Sequence, residues 1–226
     1  FAPYGSLHNG WQIDDQPICW NSSSQAEPRL TSDGSGGVII AWRDYRSGNY
    51  DIYAQRIDAD GSIHTGWTTD GEPICTDASG LDNMQITSDG WGGAVITWRD
   101  YRSGYNIYAQ RIDADGSIHT GWTLDGEPVC TSTGNQNFPQ LISDGSGGAI
   151  ITWLDDRSGG YDIYAQRIDA DGNIHNDWTL DGEQICVSTG SQLYPRIISD
   201  GSGGAIITWK DYRGATYDIY ALRIDA

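Results

Sequence analysis

Lysine is almost missing from this chain of 226 residues: Lys210 is the only one. Lysine and arginine together number 13 against 31 aspartates and glutamates, for a formal charge of −18. That imbalance argues against nucleic acid and anionic membranes as partners, because both require dense cationic surface. It suits cationic partners or metal ions. No apolar run approaches the ~18 residues of a membrane-spanning helix, and no charged-then-apolar leader opens the sequence. Phenylalanine and methionine are scarce, and no segment keeps a helical period. No G-x-S-x-G, H-E-x-x-H or phosphate loop occurs, and no Cys/His spacing supports zinc.

What the chain has in quantity is glycine, tryptophan, tyrosine and aspartate. Short β-branched runs such as "GGVIIAW", "GGAVITW" and "GGAIITW" sit between Gly/Asp/Ser clusters, which reads as all-β with many short strands. Cys19, Cys75, Cys130 and Cys186 recur at steps of 56, 55 and 56 residues. Two tryptophan series, Trp11/Trp67/Trp122/Trp178 and Trp42/Trp98/Trp153/Trp209, keep the same step. The units run approximately over 20–75, 76–130, 131–186 and 187–226, the last completed by 1–19. Each offers four strands: an inner one ("PRLTSD"), a second ("VIIAW"), a third ("DIYAQRID") and a short outer one ("EPIC"). Units of this length with four antiparallel strands predict a four-bladed β-propeller, a single domain over 1–226. The opening "FAPYGSLHNGWQIDDQPIC" aligns with the segment that would follow the final "RIDA". The expectation is a ring closed by the N-terminal segment pairing with the last blade, leaving no open edge.

The turns carry a resemblance. Ser32-Asp33-Gly34, Asp44 with Arg46, Asp51-Ile52-Tyr53 and Asp60-Gly61, with their counterparts in each unit, resemble the TolB-type (PD40, WD40-like) propeller repeat of bacteria. They are also similar to the "DxRSGxxDIYAQR" repeats of secreted bacterial surface proteins. The resemblance covers the whole chain and implies a propeller, extracellular or at the cell surface. It does not imply a reaction. The family's repeats are shorter, and the Trp–Cys connection is not part of its pattern.

Most polar residues with a specific look are written once per unit and have a structural explanation. Asp44/Arg46 and their copies read as turn clamps. The cysteines read as reduced fillers, too far apart for disulfides. Asp58/Asp60, Asp113/Asp115 and Asp169/Asp171 resemble the opening of a calcium loop but lack its later ligands. They are therefore weak Ca²⁺ candidates beside a hairpin-turn reading, and no other cofactor is expected.

Ligand recognition is expected where the copies disagree. The connections leading into the inner strands vary most. They gather Trp20, Gln25, Asp82, Asn83, Gln136, Phe138, Gln192 and Tyr194 on one face, a mixture of amides and aromatics suited to a sugar or peptide. Arg29, Gln85, Gln140 and Arg196 share one position on the inner strand. In a closed ring Arg29 and Arg196 become neighbours that could hold an anion, unless each pairs with a local carboxylate. Trp91 stands alone in its turn on the opposite face and reads as an assembly contact. These features predict a non-catalytic extracellular binding or scaffold module with a glycan or protein partner. The alternatives are a self-associating structural subunit of a surface layer or filament, and a carbohydrate-active enzyme.

Overall fold

The chain is described by a computed structural model over residues 10–11, 16–77 and 79–225. The described residues form strands and turns, and no helix among them is long and apolar enough to cross a membrane. Four antiparallel sheets follow one another. The first holds β1 (Gln25–Ser32), β2 (Val38–Asp44), β3 (Asp51–Ile57) and β4 (Glu72–Cys75) in that order. The second holds β5 (Leu81–Ser88), β6 (Ala94–Asp100), β7 (Asn106–Ile112) and β8 (Glu127–Cys130). The third holds β9 (Gln136–Ser143), β10 (Ala149–Asp155), β11 (Asp162–Ile168) and β12 (Glu183–Cys186). Among the described residues the fourth holds three strands, β13 (Gln192–Ser199), β14 (Ala205–Asp211) and β15 (Asp218–Ile224).

Alternation along each second strand explains how the sheets stack, because successive side chains point to opposite faces. In β6, Ala94, Ile96 and Trp98 pack towards the first sheet, while Val95 packs towards the third. The inner strands β1, β5, β9 and β13 pack on one another in that order.

Each sheet is tied by a buried aspartate at the end of its second strand. Asp44 accepts the Trp42 indole N–H at 2.9 Å, the Arg46 backbone N–H at 2.9 Å, and the Arg46 guanidinium at 2.9 and 2.7 Å. The same guanidinium donates to the Asp70 carbonyl at 2.8 Å, approaches Cys19 Sγ at 3.5 Å, and lies 3.7 Å from the centre of the Tyr53 ring. Asp100, Asp155 and Asp211 repeat the clamp with Arg102, Arg157 and Arg213. Between sheets, Arg56 Nη1 and Trp67 Nε1 both donate to the Ala114 carbonyl, at 3.1 and 2.9 Å. Arg111 and Trp122 do the same to Ala170.

The expected closed four-bladed propeller is corrected by the structure. Among the described residues the last sheet has no fourth strand, and β15 is exposed along most of its length. Ile219 is 76% exposed, whereas its counterparts Ile52, Ile107 and Ile163 are fully buried. β13 does not pack on β1 as the other inner strands pack on their neighbours. The described part of the N-terminal segment lies on the first sheet: Trp11 Nε1 donates to the Ala59 carbonyl at 3.0 Å, and the Trp20 N–H to Asp70 Oδ1 at 2.5 Å. The remainder of the expected closing strand, 1–9 and 12–15, lies outside the described residues. Similar wording in two stretches of sequence does not show that they meet in the fold.

Glycines at the outer connections let the tryptophans sit close. Gly126 has φ +99°, and a Cβ built there would lie 2.6 Å from Trp98 Cη2. Gly126→Ala is expected to lower the unfolding free energy by roughly 3 kcal/mol, from left-handed strain plus overpacking. Chemical denaturation of the variant against the parent checks this.

Candidate functional site

The inner strand of every sheet breaks register at one place. In β1 the pairing jumps from Ala26–Arg43 to Arg29–Ala41, so two residues stand opposite one. β5, β9 and β13 slip at the equivalent step. Such bulges bend a strand and redirect a side chain. The first inserted residue takes a left-handed backbone each time: Glu27 (φ 53°), Asn83 (54°), Phe138 (53°) and Tyr194 (57°). None is glycine, and this region costs an ordinary residue about 1–3 kcal/mol. One unusual conformation is thus spent four times on four different side chains, on strands that lie side by side.

Around the second of these bulges is a network with no copy elsewhere in the described chain. Arg99 donates to both oxygens of Asp82, at 2.7 and 2.5 Å, to the Tyr101 hydroxyl at 2.8 Å, and to Asn137 Oδ1 on the third sheet. The Tyr101 hydroxyl donates to Asp82 Oδ2 at 2.5 Å. The guanidinium lies 4.8 Å from the centre of the Tyr105 ring. Burial works against the charge of Asp82, but the hydrogen bonds from Arg99 and Tyr101 outweigh it and hold the carboxyl below the usual range. On the first sheet Glu27 takes an ion pair from Arg43 Nη1 at 2.8 Å and is half exposed. Arg43 also lies over Tyr50, 4.1 Å from the ring centre.

The residues expected to bind ligand do not all come to this face. Phe138 and Tyr194 do, at 48% and 59% exposure, each as the bulge residue. Trp20 is exposed at the edge of the first sheet, and Gln25 begins β1. Gln136 and Gln192 are buried, and their amides bond to the Ser132 and Ser188 carbonyls instead. Gln85 is half buried on β5, and Gln140 bonds to the Pro139 carbonyl at 2.7 Å. Arg29 and Arg196 each bond to the preceding proline carbonyl, at 3.1 and 3.0 Å. With the ring open they lie on the first and last inner strands, so the anion site expected between them is not formed.

Trp91 is 60% exposed, with the Arg111 guanidinium 4.9 Å from its ring centre. It lies across Gly147 of the third sheet, where a Cβ would collide with its ring. The calcium candidates are engaged locally. Asp58 and Asp113 bond to His64 and His119, Asp60 and Asp115 to Ser62 and Ser117, and Asp169 to the Asp171 and Asn173 N–H groups. Among the described residues no three acidic, histidine or cysteine side chains are grouped to hold a metal.

The sequence reading passed over Arg99, Tyr101 and Asn137. The available signal was the position of Arg99, which reads Arg43, Arg99, Leu154 and Lys210 across the units. One further asymmetry lies behind the face. Asp51 and Asp162 sit opposite the clamp aspartates Asp44 and Asp155, while the second sheet has Asn106 there. Burial pushes the carboxyls of Asp51 and Asp162 up, and the facing clamp aspartates add to the shift. Asp51 Oδ2 is buried with no partner among the described residues.

The chain matches no protein-family model and no curated protein. The likeness of its turns to the TolB-type repeat therefore remains a likeness of turn sequence. Solved structures share the fold. An endo-arabinase from Bacteroides thetaiotaomicron is 15% identical, with 88% of this chain and 74% of that one covered and a TM-score of 0.50. A protein of unknown function from Dyadobacter fermentans is 13% identical, with 82% of this chain and 49% of that one covered and a TM-score of 0.55. The expectation that the chain is more likely a non-catalytic module than an enzyme is corrected by the first of these, because a similar succession of sheets is found in a solved enzyme. Repetition marks the residues that build the sheets and does not argue against chemistry at the positions that are not repeated.

A folded-state pKa above the unfolded value of ~3.9 favours folding fully below that value, and the benefit is lost as pH rises through the folded pKa. Asp51 therefore weakens the fold at neutral pH. Asp51→Asn, the residue the second sheet already uses, is expected to raise Tm at pH 7, with the gain vanishing below about pH 4. Thermal melts of both proteins across that range check it.

Proposed function

We propose that the bulged face acts on a carbohydrate chain, with Asp82 and Glu27 as its working carboxyls and Phe138 and Tyr194 as its stacking surfaces. One observation carries this reading: the left-handed bulge places a different side chain on each inner strand, with Glu27, Phe138 and Tyr194 exposed, beside an ionised Asp82 locked by Arg99 and Tyr101. Strained positions of this kind cluster where a protein holds a ligand. Aromatic faces offer sugars a flat apolar surface, while carboxylates and guanidinium groups bond to their hydroxyls.

Hydrolysis of a glycosidic bond needs two carboxyls, one ionised and one able to give a proton. Asp82 fits the first role, because Arg99 keeps it charged. Glu27, half exposed and paired with Arg43 Nη1 on the neighbouring inner strand, is the second carboxyl this face presents. The fold shared with an endo-arabinase supports a polysaccharide as the first ligand class to test.

Release of reducing ends from a panel of plant and microbial polysaccharides tests the reading. Glu27→Gln is expected to lower kcat by about 10²–10⁴-fold with little change in Tm. Tyr194→Ala is expected to raise KM with kcat largely kept. Absence of both turnover and retention across the panel would remove the proposal.

A further inference from the structure

The two end sheets expose opposite halves of one interface, and this observation is independent of the carbohydrate reading. Inside the chain the interface is made in a constant way. Ile39 and Ile52 of the first sheet are fully buried against Met84, Ile96 and Trp98 of the second. Val95 and Ile107 meet Ile151 and Trp153 in the same positions one step on. The fourth sheet carries the leading half of this interface uncovered: Ile206, the counterpart of Ile39, is 40% exposed, and Ile219, the counterpart of Ile52, is 76% exposed.

The first sheet carries the receiving half. A cavity of about 280 Å³ is lined there by Ile18, Cys19, Gln25, Pro28, Ile40 and Trp42. Pro28, Ile40 and Trp42 are the counterparts of Met84, Ile96 and Trp98, which take the preceding sheet's side chains inside the chain.

The receiving half also brings an outer edge with it. The Trp20 N–H donates to Asp70 Oδ1 at 2.5 Å, as the Thr76 N–H donates to Asp125 Oδ1 at 2.7 Å across the first internal interface. Arg46 reaches Cys19 Sγ at 3.5 Å, as Arg102 reaches Cys75. The segment leading to Trp20 thus lies on the first sheet as an outer strand lies on the sheet after it, and among the described residues no strand pairs with the outer side of β15.

One substitution fits a change of partner at that place. Gln55, Gln110 and Gln166 each donate to a threonine carbonyl of their own sheet's outer connection at 2.7 Å. Their counterpart on β15 is Leu222, which cannot donate and is 41% exposed.

We infer that the fourth sheet of one molecule docks on the first sheet of a second copy, reproducing the internal interface between chains. Both halves are present on every molecule but lie on different surfaces, so the contact is heterologous and propagates head to tail. The surface left uncovered is apolar, and the net charge of −18 opposes association. Assembly therefore strengthens as added salt screens that charge.

Sedimentation velocity on the full chain and two surface variants tests this, with circular dichroism confirming that each is folded. Ile219→Asp blocks the leading half and Pro28→Glu blocks the receiving half, both at exposed positions. The parent is expected to gain at least a doubling of mass with concentration, more readily in high salt. Each variant alone stays monomeric, and an equimolar mixture forms a dimer and stops there. A parent that is monomeric at every concentration, a variant that assembles like the parent, or a mixture that stays monomeric overturns the inference.

Discussion

Everything else in this fold depends on a carboxylate buried where a sheet turns back on itself. Asp44, Asp100, Asp155 and Asp211 are all but sealed from solvent, and a charge so placed is tolerated only if its lone pairs are filled. Tryptophan and arginine fill them, and the arginine is then committed. In the second sheet the Arg102 guanidinium also reaches the outer connection of its own sheet and Cys75 of the sheet before, with the Tyr108 ring beneath. One electrostatic requirement therefore fixes the turn, the tryptophan rotamer, the path of the outer strand and the spacing to the neighbour. For the same reason the cysteines are quiet: burial pushes the thiols of Cys75 and Cys130 up to about 12, far from the thiolate that reacts.

Because each sheet meets its own structural needs with residues written into every unit, the unrepeated positions are released from that duty. They collect at the bulges, where Asp82 and Asn137, with Arg99 and Tyr101, join the second sheet to the third in a combination no other described pair of sheets uses. The scaffold and the proposed ligand face are thus built from separate residues. Loss of the Asp82 network would leave every clamp intact.

The period, the strands of each unit and the clamps were legible in the sequence because they rest on local chemistry: alternation, glycine turns and an Asp-x-Arg spacing. Three things were not. The bulges were hidden because their left-handed residues are Glu27, Asn83, Phe138 and Tyr194, where sequence reasoning looks for glycine. The inward turn of Gln136 and Gln192 was hidden because an amide in a variable connection looks the same whether it bonds to a carbonyl or to a ligand. The open ring was hidden because closure depends on how far four stacked sheets sweep, an angle set by packing along their length. The misplacement of Arg29 and Arg196 as neighbours followed from that same error.

The bulge has a consequence for how such a chain could change. Its backbone is held by the pairing on either side and, in three of four sheets, by a following proline: Pro28, Pro139 and Pro195. The side chain it displays is the one part of the strand that pairing does not specify. Each unit therefore offers a single interchangeable letter on a fixed line, and the four letters here spell an acid, an amide and two aromatic rings. A new specificity could be written by changing those letters alone, with the rest of the unit copied unaltered.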